Sequence, residues 1–277
     1  MDAWEAVTAE YAALEARLAD PRVHRDFRRA RTLRRCVEDL RPLNEDAARL
    51  RSLMHDLDDA RELASDPAWR AEATRVEREA ASLRAAIATA YAARDPFDPY
   101  DVIVLIDAED GDRPGLQAVV DAYRDDARAR GWRARHLYND PPPHWAILEI
   151  EAGEEGPGPW VALKDDNGAL RGAGAVRVTV LPDAEPSPVD PQDIRIDLYC
   201  SRERDAQTVL RVVHEPTGIG AYGRDPHPAR AQANAMRVVW SQLAALESAP
   251  EGRYQAVSQA PGGHLRLRAA AAPGPRM

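Results

Sequence analysis

Two side chains in the C-terminal half are of the types that a nucleophilic site needs. Cys200 ends one alternating apolar segment and His214 ends the next, so a thiol–imidazole pair is conceivable. No neighbouring motif activates the thiol, however, and an ordinary cysteine is mostly protonated at neutral pH. We therefore predict a structural histidine and an incidental cysteine.

Two charged clusters have side chains of the types that bind ions or nucleic acid. Glu109, Asp110 and Asp112 have the oxygen ligands that divalent cations prefer, but their spacing matches no known binding loop. A solvated acidic turn is favoured, so we expect no metal and no other cofactor. Six arginines form the densest basic run: Arg25, Arg28, Arg29, Arg31, Arg34 and Arg35. They predict a solvated helix face, with contact to RNA phosphate as the open alternative.

Composition and charge limit the class of protein. The chain has 277 residues, 44% hydrophobic and 30% charged, which suits about two domains and excludes wholesale disorder. No apolar window is long enough to span a membrane, and two widely separated cysteines favour a reducing, cytoplasmic location. Residues 95–193 carry a net charge of −12 within a total of −9, which excludes a simple basic clamp for nucleic acid there.

The first 94 residues have apolar side chains at helical spacing, with charges on the opposite face. Three prolines are expected to separate successive helices: Pro21, Pro42 and Pro67. Residues 1–94 are therefore predicted to form a helical bundle or hairpin. A protein partner of this chain would bind through these helices.

The remaining residues mix strands with two helices. In residues 95–193, which follow a proline-rich break, we predict strands at 102–106, 133–138, 145–150, 160–163 and 175–181 and a helix at 116–130. In residues 194–249 we predict strands at 194–199 and 209–213 and a helix at 228–246. Residues 250–277 are expected to hold a short strand and a disordered tail. The predicted fold class is α+β.

Several of these segments resemble the class I peptide chain release factors of bacteria, and more closely the type that reads UGA and UAA. Residues 14–21 and 59–63 resemble the family's helical domain, and residues 95–106 resemble the entry into its central domain. Residues 194–199 and 211–219 are the most specific pieces, since they flank the family's catalytic loop. The resemblance implies release-factor-like α/β sandwich domains after the N-terminal helices.

The catalytic loop is where the chain departs most from this family. A release factor carries a Gly-Gly-Gln tripeptide there, which enters the peptidyl transferase centre and assists hydrolysis of peptidyl-tRNA. Residues 200–210 contain no glycine and one glutamine, Gln207, and are about six residues shorter than the family's loop. Glycine permits backbone angles that a Cβ atom disfavours. Ordinary peptide release is therefore expected to be lost.

The codon-reading loop of the family is also missing. Release factors read stop codons with a Pro-x-Thr or Ser-Pro-Phe motif and a histidine that stacks on a base. Residues 164–175 contain neither tripeptide, no histidine and no aromatic side chain, and single-stranded bases are recognised by stacking and by hydrogen bonds to their edges. The sequence thus indicates a degenerate paralogue that has also lost codon recognition.

Three functional hypotheses remain open on sequence alone. The first is a catalytically silent accessory or regulatory factor that binds the ribosome, a tRNA or a translation protein, with Arg202, Arg204 and Arg211 as candidate RNA contacts. The second is a peptidyl- or aminoacyl-tRNA ester hydrolase with a reworked loop around Gln207. The third is a scaffold that has left the ribosome and binds a protein through its N-terminal helices.

Overall fold

The computed structural model describes residues 2–108, 112–138, 145–166, 168–169, 176–185, 188–200, 208–248, 254–259 and 264–269. The chain divides into two units, Met1–Pro99 with Glu154–Gly156, and Tyr100–Gly153 with Pro157–Met277. The finer division at residues 95, 194 and 250 stays a prediction. In the described part of the chain, no helix is long and apolar enough to cross a membrane.

Three helices build the first unit: α1 (Ala3–Ala19), α2 (Phe27–Glu62) and α3 (Pro67–Ala93). Their apolar faces meet in a core that includes the fully buried Leu40, Leu50 and Ile87. Arg94, 11% exposed, holds the ends of the helices together, because its guanidinium lies 2.9 Å from Glu10 on α1 and 2.6 Å from Asp39 on α2.

The expectation that Pro42 ends a helix is wrong, because Pro42 lies inside α2, which is 36 residues long. An internal proline removes one backbone hydrogen bond and crowds the preceding turn. Pro42 is exposed, so water can satisfy the freed carbonyl. Buried residues on both sides, Leu40 and Ala47 among them, hold the helix against its neighbours.

A first antiparallel sheet with the order β2-β3-β1-β5-β4 begins the second unit. Its strands are β1 (Val102–Ala108), β2 (Arg133–Tyr138), β3 (Trp145–Glu151), β4 (Gly168–Ala169) and β5 (Val176–Pro182). Helix α4 (Arg113–Ala129) packs on β1 and β2. The α+β class is confirmed.

The predicted strand at 160–163 is wrong, because Trp160–Leu163 forms a short helix, α5. Trp160 and Leu163 are buried whereas Val161 is 41% exposed, which is the three-residue spacing of a helical turn. An apolar run of four residues does not distinguish a strand from a buried helical turn.

A second sheet with the order β6-β7-β8-β10-β9 completes this unit. It contains β6 (Ile194–Cys200), β7 (Thr208–His214), β8 (Ile219–Asp225), β9 (Tyr254–Gln259) and β10 (His264–Ala269), and it packs against α6 (Pro228–Ser248). One hydrophobic core joins Ile103 and Leu181 of the first sheet, Leu210 and Val212 of the second, and Val239 of α6. The two sheets and α6 therefore share their core.

Candidate functional site

The β6–β7 hairpin holds the segment that corresponds to the catalytic loop of release factors. Ile194 pairs with His214 at one end and Cys200 pairs with Thr208 at the other, with no register shift. The connection is therefore limited to seven residues, 201–207. Arg202, Arg204 and Gln207 lie outside the described residues, so their predicted roles stay predictions.

Four charged side chains lie together on the hairpin. Arg195 lies 2.9 Å from Glu215 and 3.3 Å from Asp197, and Arg211 lies 3.4 Å from Asp197. Arg211 is only 12% exposed, because it lies on the inner strand β7 and is directed toward Asp197 on β6. Its guanidinium already pairs within the sheet, which disfavours the predicted contact with RNA. That contact stays a prediction.

The structural role predicted for His214 agrees with the geometry of the turn after β7. His214 Nδ1 lies 2.9 Å from the Thr217 hydroxyl, and the Gly218 amide donates to the His214 carbonyl over 2.8 Å. Gly218 has φ +68°, in the left-handed region that favours glycine. Cys200 pairs with Thr208, which lies six residues before His214 on β7. Six strand residues span about 20 Å, so the backbone holds Cys200 and His214 too far apart for a thiol–imidazole pair.

The acidic cluster before α4 is explained in part by helix capping. The Asp112 carboxylate accepts a hydrogen bond from the Gly115 amide over 3.0 Å and caps α4. Glu109 and Asp110 lie outside the described residues. No three His, Cys, Asp or Glu side chains come together as metal ligands within the residues that the structure describes.

The basic run of the first unit does not form one solvent-facing row. Arg35 is buried, with 2% of its surface exposed, so it cannot contact RNA phosphate in this fold. Arg34 lies 3.1 Å from Glu154. An RNA-binding role for the whole run is therefore not supported.

A tyrosine–carboxyl pair lies beside the segment where release factors read codons. The Tyr123 hydroxyl on α4 donates to Asp166 over 3.2 Å. Burial raises the pKa of Asp166, the nearby Asp126 and Asp165 carboxylates raise it further, and the hydrogen bond from Tyr123 partly opposes the shift. Burial also raises the pKa of Tyr123, which keeps its hydroxyl protonated as the donor.

The raised pKa of Asp166 predicts a pH-dependent loss of stability. Because the folded protein retains the proton to higher pH than the unfolded chain, stability falls as the pH rises from the ordinary value of 3.8 through the raised pKa. Asp166→Asn keeps the acceptor for Tyr123 and removes this loss. Urea unfolding at several pH values between about 4 and 7 should show the variant gaining stability relative to wild type.

Tyr123→Phe tests the same linkage in the opposite direction. It removes the hydrogen bond that favours the Asp166 carboxylate, so the fall in stability with pH should become steeper. A stability difference between Asp166→Asn and wild type that stays constant across this pH range would contradict the account.

Sequence reasoning missed a cluster of buried charges between β3 and α6. Glu149, fully buried on β3, lies 2.6 Å from Arg237 on α6, which also contacts Asp183 after β5. Arg135 on β2 contacts Glu149 from the other side. The sequence signal was Glu149 itself, an acid between the apolar Leu148 and Ile150 of this strand. The cluster connects the first sheet to α6, so its role is structural.

Comparisons with known proteins identify the family of this chain. A family model, the PCRF domain, matches residues 7–172. Peptide chain release factor 1 of Acidothermus cellulolyticus is 35% identical over 93% of this chain and 79% of that protein. Peptide chain release factor 1 of Rhodococcus jostii is 31% identical, over 91% and 80% respectively. The chain belongs to the class I peptide chain release factor family, as the sequence resemblance predicted.

The subtype within this family stays a prediction. The two relatives above are named release factor 1. Among solved structures, RF2 of Thermus thermophilus aligns with 87% of this chain and 76% of its own length, at 19% identity and a TM-score of 0.44. The family model and the release factor 1 relatives, not this structural match, show a release-factor-like protein of translation. Its activity is a separate question.

Proposed function

We propose that this chain is a cytoplasmic accessory or regulatory factor that binds the ribosome without hydrolysing peptidyl-tRNA. The observation that carries the proposal is the direct pairing of Cys200 with Thr208. Seven connecting residues leave and return to paired strands, so the tip can extend at most ~13 Å from them. The connection also contains no glycine, and the Gly-Gly-Gln turn of active factors depends on glycine's backbone freedom.

The retained parts of the fold support binding rather than hydrolysis. The family match extends across the helical unit and most of the first sheet, and the hairpin that flanks the missing loop is regular over its whole length. Binding of a protein through the N-terminal helices alone would not require the first sheet or the hairpin to keep the family's architecture. We therefore favour the ribosome over a free protein partner of the helices.

Ribosome binding is testable by co-sedimentation with stop-programmed ribosomes over a salt series. We expect binding at low salt that weakens steeply as salt increases, because phosphate contacts release counterions. The chain should also slow peptide release by an active factor that competes for the same site. Absence of co-sedimentation even at low salt would overturn the proposal and favour a scaffold role.

The candidate RNA contacts give a sharper version of this test. Replacing Arg202 and Arg204 by alanine should weaken binding and reduce the salt dependence by about two phosphate contacts. Arg128→Ala is the matched control, because Arg128 is 77% exposed and pairs with Asp125 on its own helix. Equal effects of the control and the double variant would rule out the predicted contacts.

A further inference from the structure

Strand β6 forms one edge of the second sheet. It pairs with β7 on one side and ends the strand order, and no described strand pairs with its other side. Ile196 is 43% exposed and Leu198 is 64% exposed. They pair with Val212 and Leu210 of β7, which belong to the hydrophobic core, so they lie on the same face of the sheet as that core. Strand β6 therefore presents an apolar row beside an edge of backbone hydrogen-bonding groups.

Several of the usual protections of an edge strand are missing from β6. Natural sheets protect their edges with charged side chains (lysine above all), proline, bulges, very short strands or a covering helix or loop. Strand β6 has seven residues, Ile194–Cys200, without proline or lysine, and its pairing with β7 shows no bulge. Its only charged residues, Arg195 and Asp197, have opposite signs and flank Ile196. Such an edge is suited to pairing with another strand.

We propose that β6 pairs with β6 of a second copy of this chain in an antiparallel dimer centred on Ile196. A two-fold axis at this position places Ile196 opposite its own counterpart and Ile194 opposite Leu198. The same register places Arg195 of each protomer opposite Asp197 of the other. Both faces of the new strand pair are thus complementary, apolar on one side and oppositely charged on the other.

The charge pattern selects this register over its neighbours. An axis at Arg195 or at Asp197 would place like charges directly opposite each other, which destabilises a strand pair. Around the axis at Ile196, Arg195 and Arg211 balance Asp197 and Glu215 within each protomer. The four side chains already contact one another, so they can exchange partners across the axis without uncompensated charge.

The dimer is testable by sedimentation equilibrium of the full chain from about 1 to about 100 μM, since one strand pair forms a small interface. Wild type should associate reversibly. Ile196→Lys puts two like charges on the axis and should raise the dissociation constant at least about tenfold. Trp69→Lys is the matched control, because Trp69 is a 44% exposed apolar side chain on α3, and it should leave association unchanged.

Charge reversal tests the register and shows whether the variants remain competent to associate. Arg195→Asp alone and Asp197→Arg alone should each be monomeric, because each puts like charges opposite one another. A mixture of the two variants should form a heterodimer, since every cross-axis pair is then of opposite sign.

Three results would overturn the proposal. They are a wild-type chain that stays monomeric over the whole concentration range, a dimer that persists in Ile196→Lys, and charge-reversed variants that fail to associate when mixed although their circular dichroism matches wild type. The proposal does not depend on ribosome binding, and none of these experiments measures it.

Discussion

Replacement of Gly223 by alanine is expected to destabilise the protein by about 3 kcal/mol or more, since overpacking that displaces backbone lies at the upper end of such effects. Gly223 lies on β8 directly beneath α6. A Cβ atom there would be 1.9 Å from the Ala231 carbonyl oxygen and 3.2 Å from the Ala235 Cβ. Because the obstacle is helix backbone, the helix must move away from the sheet and disrupt the core that it shares with both sheets.

Gly153→Ala is the matched control for this substitution. A Cβ atom at Gly153 would meet no atom within 4 Å, so its effect should stay within about 0.5 kcal/mol. Urea unfolding followed by circular dichroism measures both variants. If Gly223→Ala unfolds at the same urea concentration as Gly153→Ala, the close packing of α6 on β8 is incorrect.

Removal of the Arg237 side chain is expected to cost about 3–5 kcal/mol. Arg237 lies 2.6 Å from Glu149, which is fully buried, and also contacts Asp183. Arg237→Ala would leave two acids with one cation fewer in an environment that solvates charge poorly, and a buried charge without compensation is strongly unfavourable. Thermal unfolding should show a large decrease in midpoint.

An exposed ion pair of the same length provides the control for Arg237. Arg128 also lies 2.6 Å from its partner, Asp125, but the two side chains are 77% and 71% exposed. Exposed pairs contribute about 0–1 kcal/mol, so Arg128→Ala should change stability little. Equal losses in the two variants would show that burial does not make the Arg237 cluster important.

The sequence predicted the elements with strong periodicity and missed those for which tertiary contacts override local preference. Strand β2 was predicted with its observed bounds. Strand β8 was missed because it contains two glycines, which disfavour strands. Gly223 is there because α6 passes close to it, and a glycine in a strand often marks such a close approach. The helix break predicted at Pro42 was wrong for a related reason. Buried residues before and after Pro42 hold α2 against its neighbours, and this packing outweighs the local effect of the proline.

The candidate site was predicted unevenly. The family and the hairpin that flanks the lost loop followed from residues 194–199 and 211–219. The pairing of Arg211 with Asp197 did not follow, because the strand register that brings them together depends on the whole hairpin. The buried acid Glu149 could have been flagged from its apolar neighbours, but its partner Arg237 is distant in sequence and comes close only in the folded chain.

Peptide release from stop-programmed ribosomes tests the central claim most directly. Purified protein is incubated with ribosomes that carry labelled peptidyl-tRNA, with an active release factor as the positive control. Since the shortened connection 201–207 has no glycine, we expect release no faster than with buffer, and no difference between wild type and Gln207→Ala. Release above background that Gln207→Ala abolishes would contradict the account and identify the chain as an active ester hydrolase.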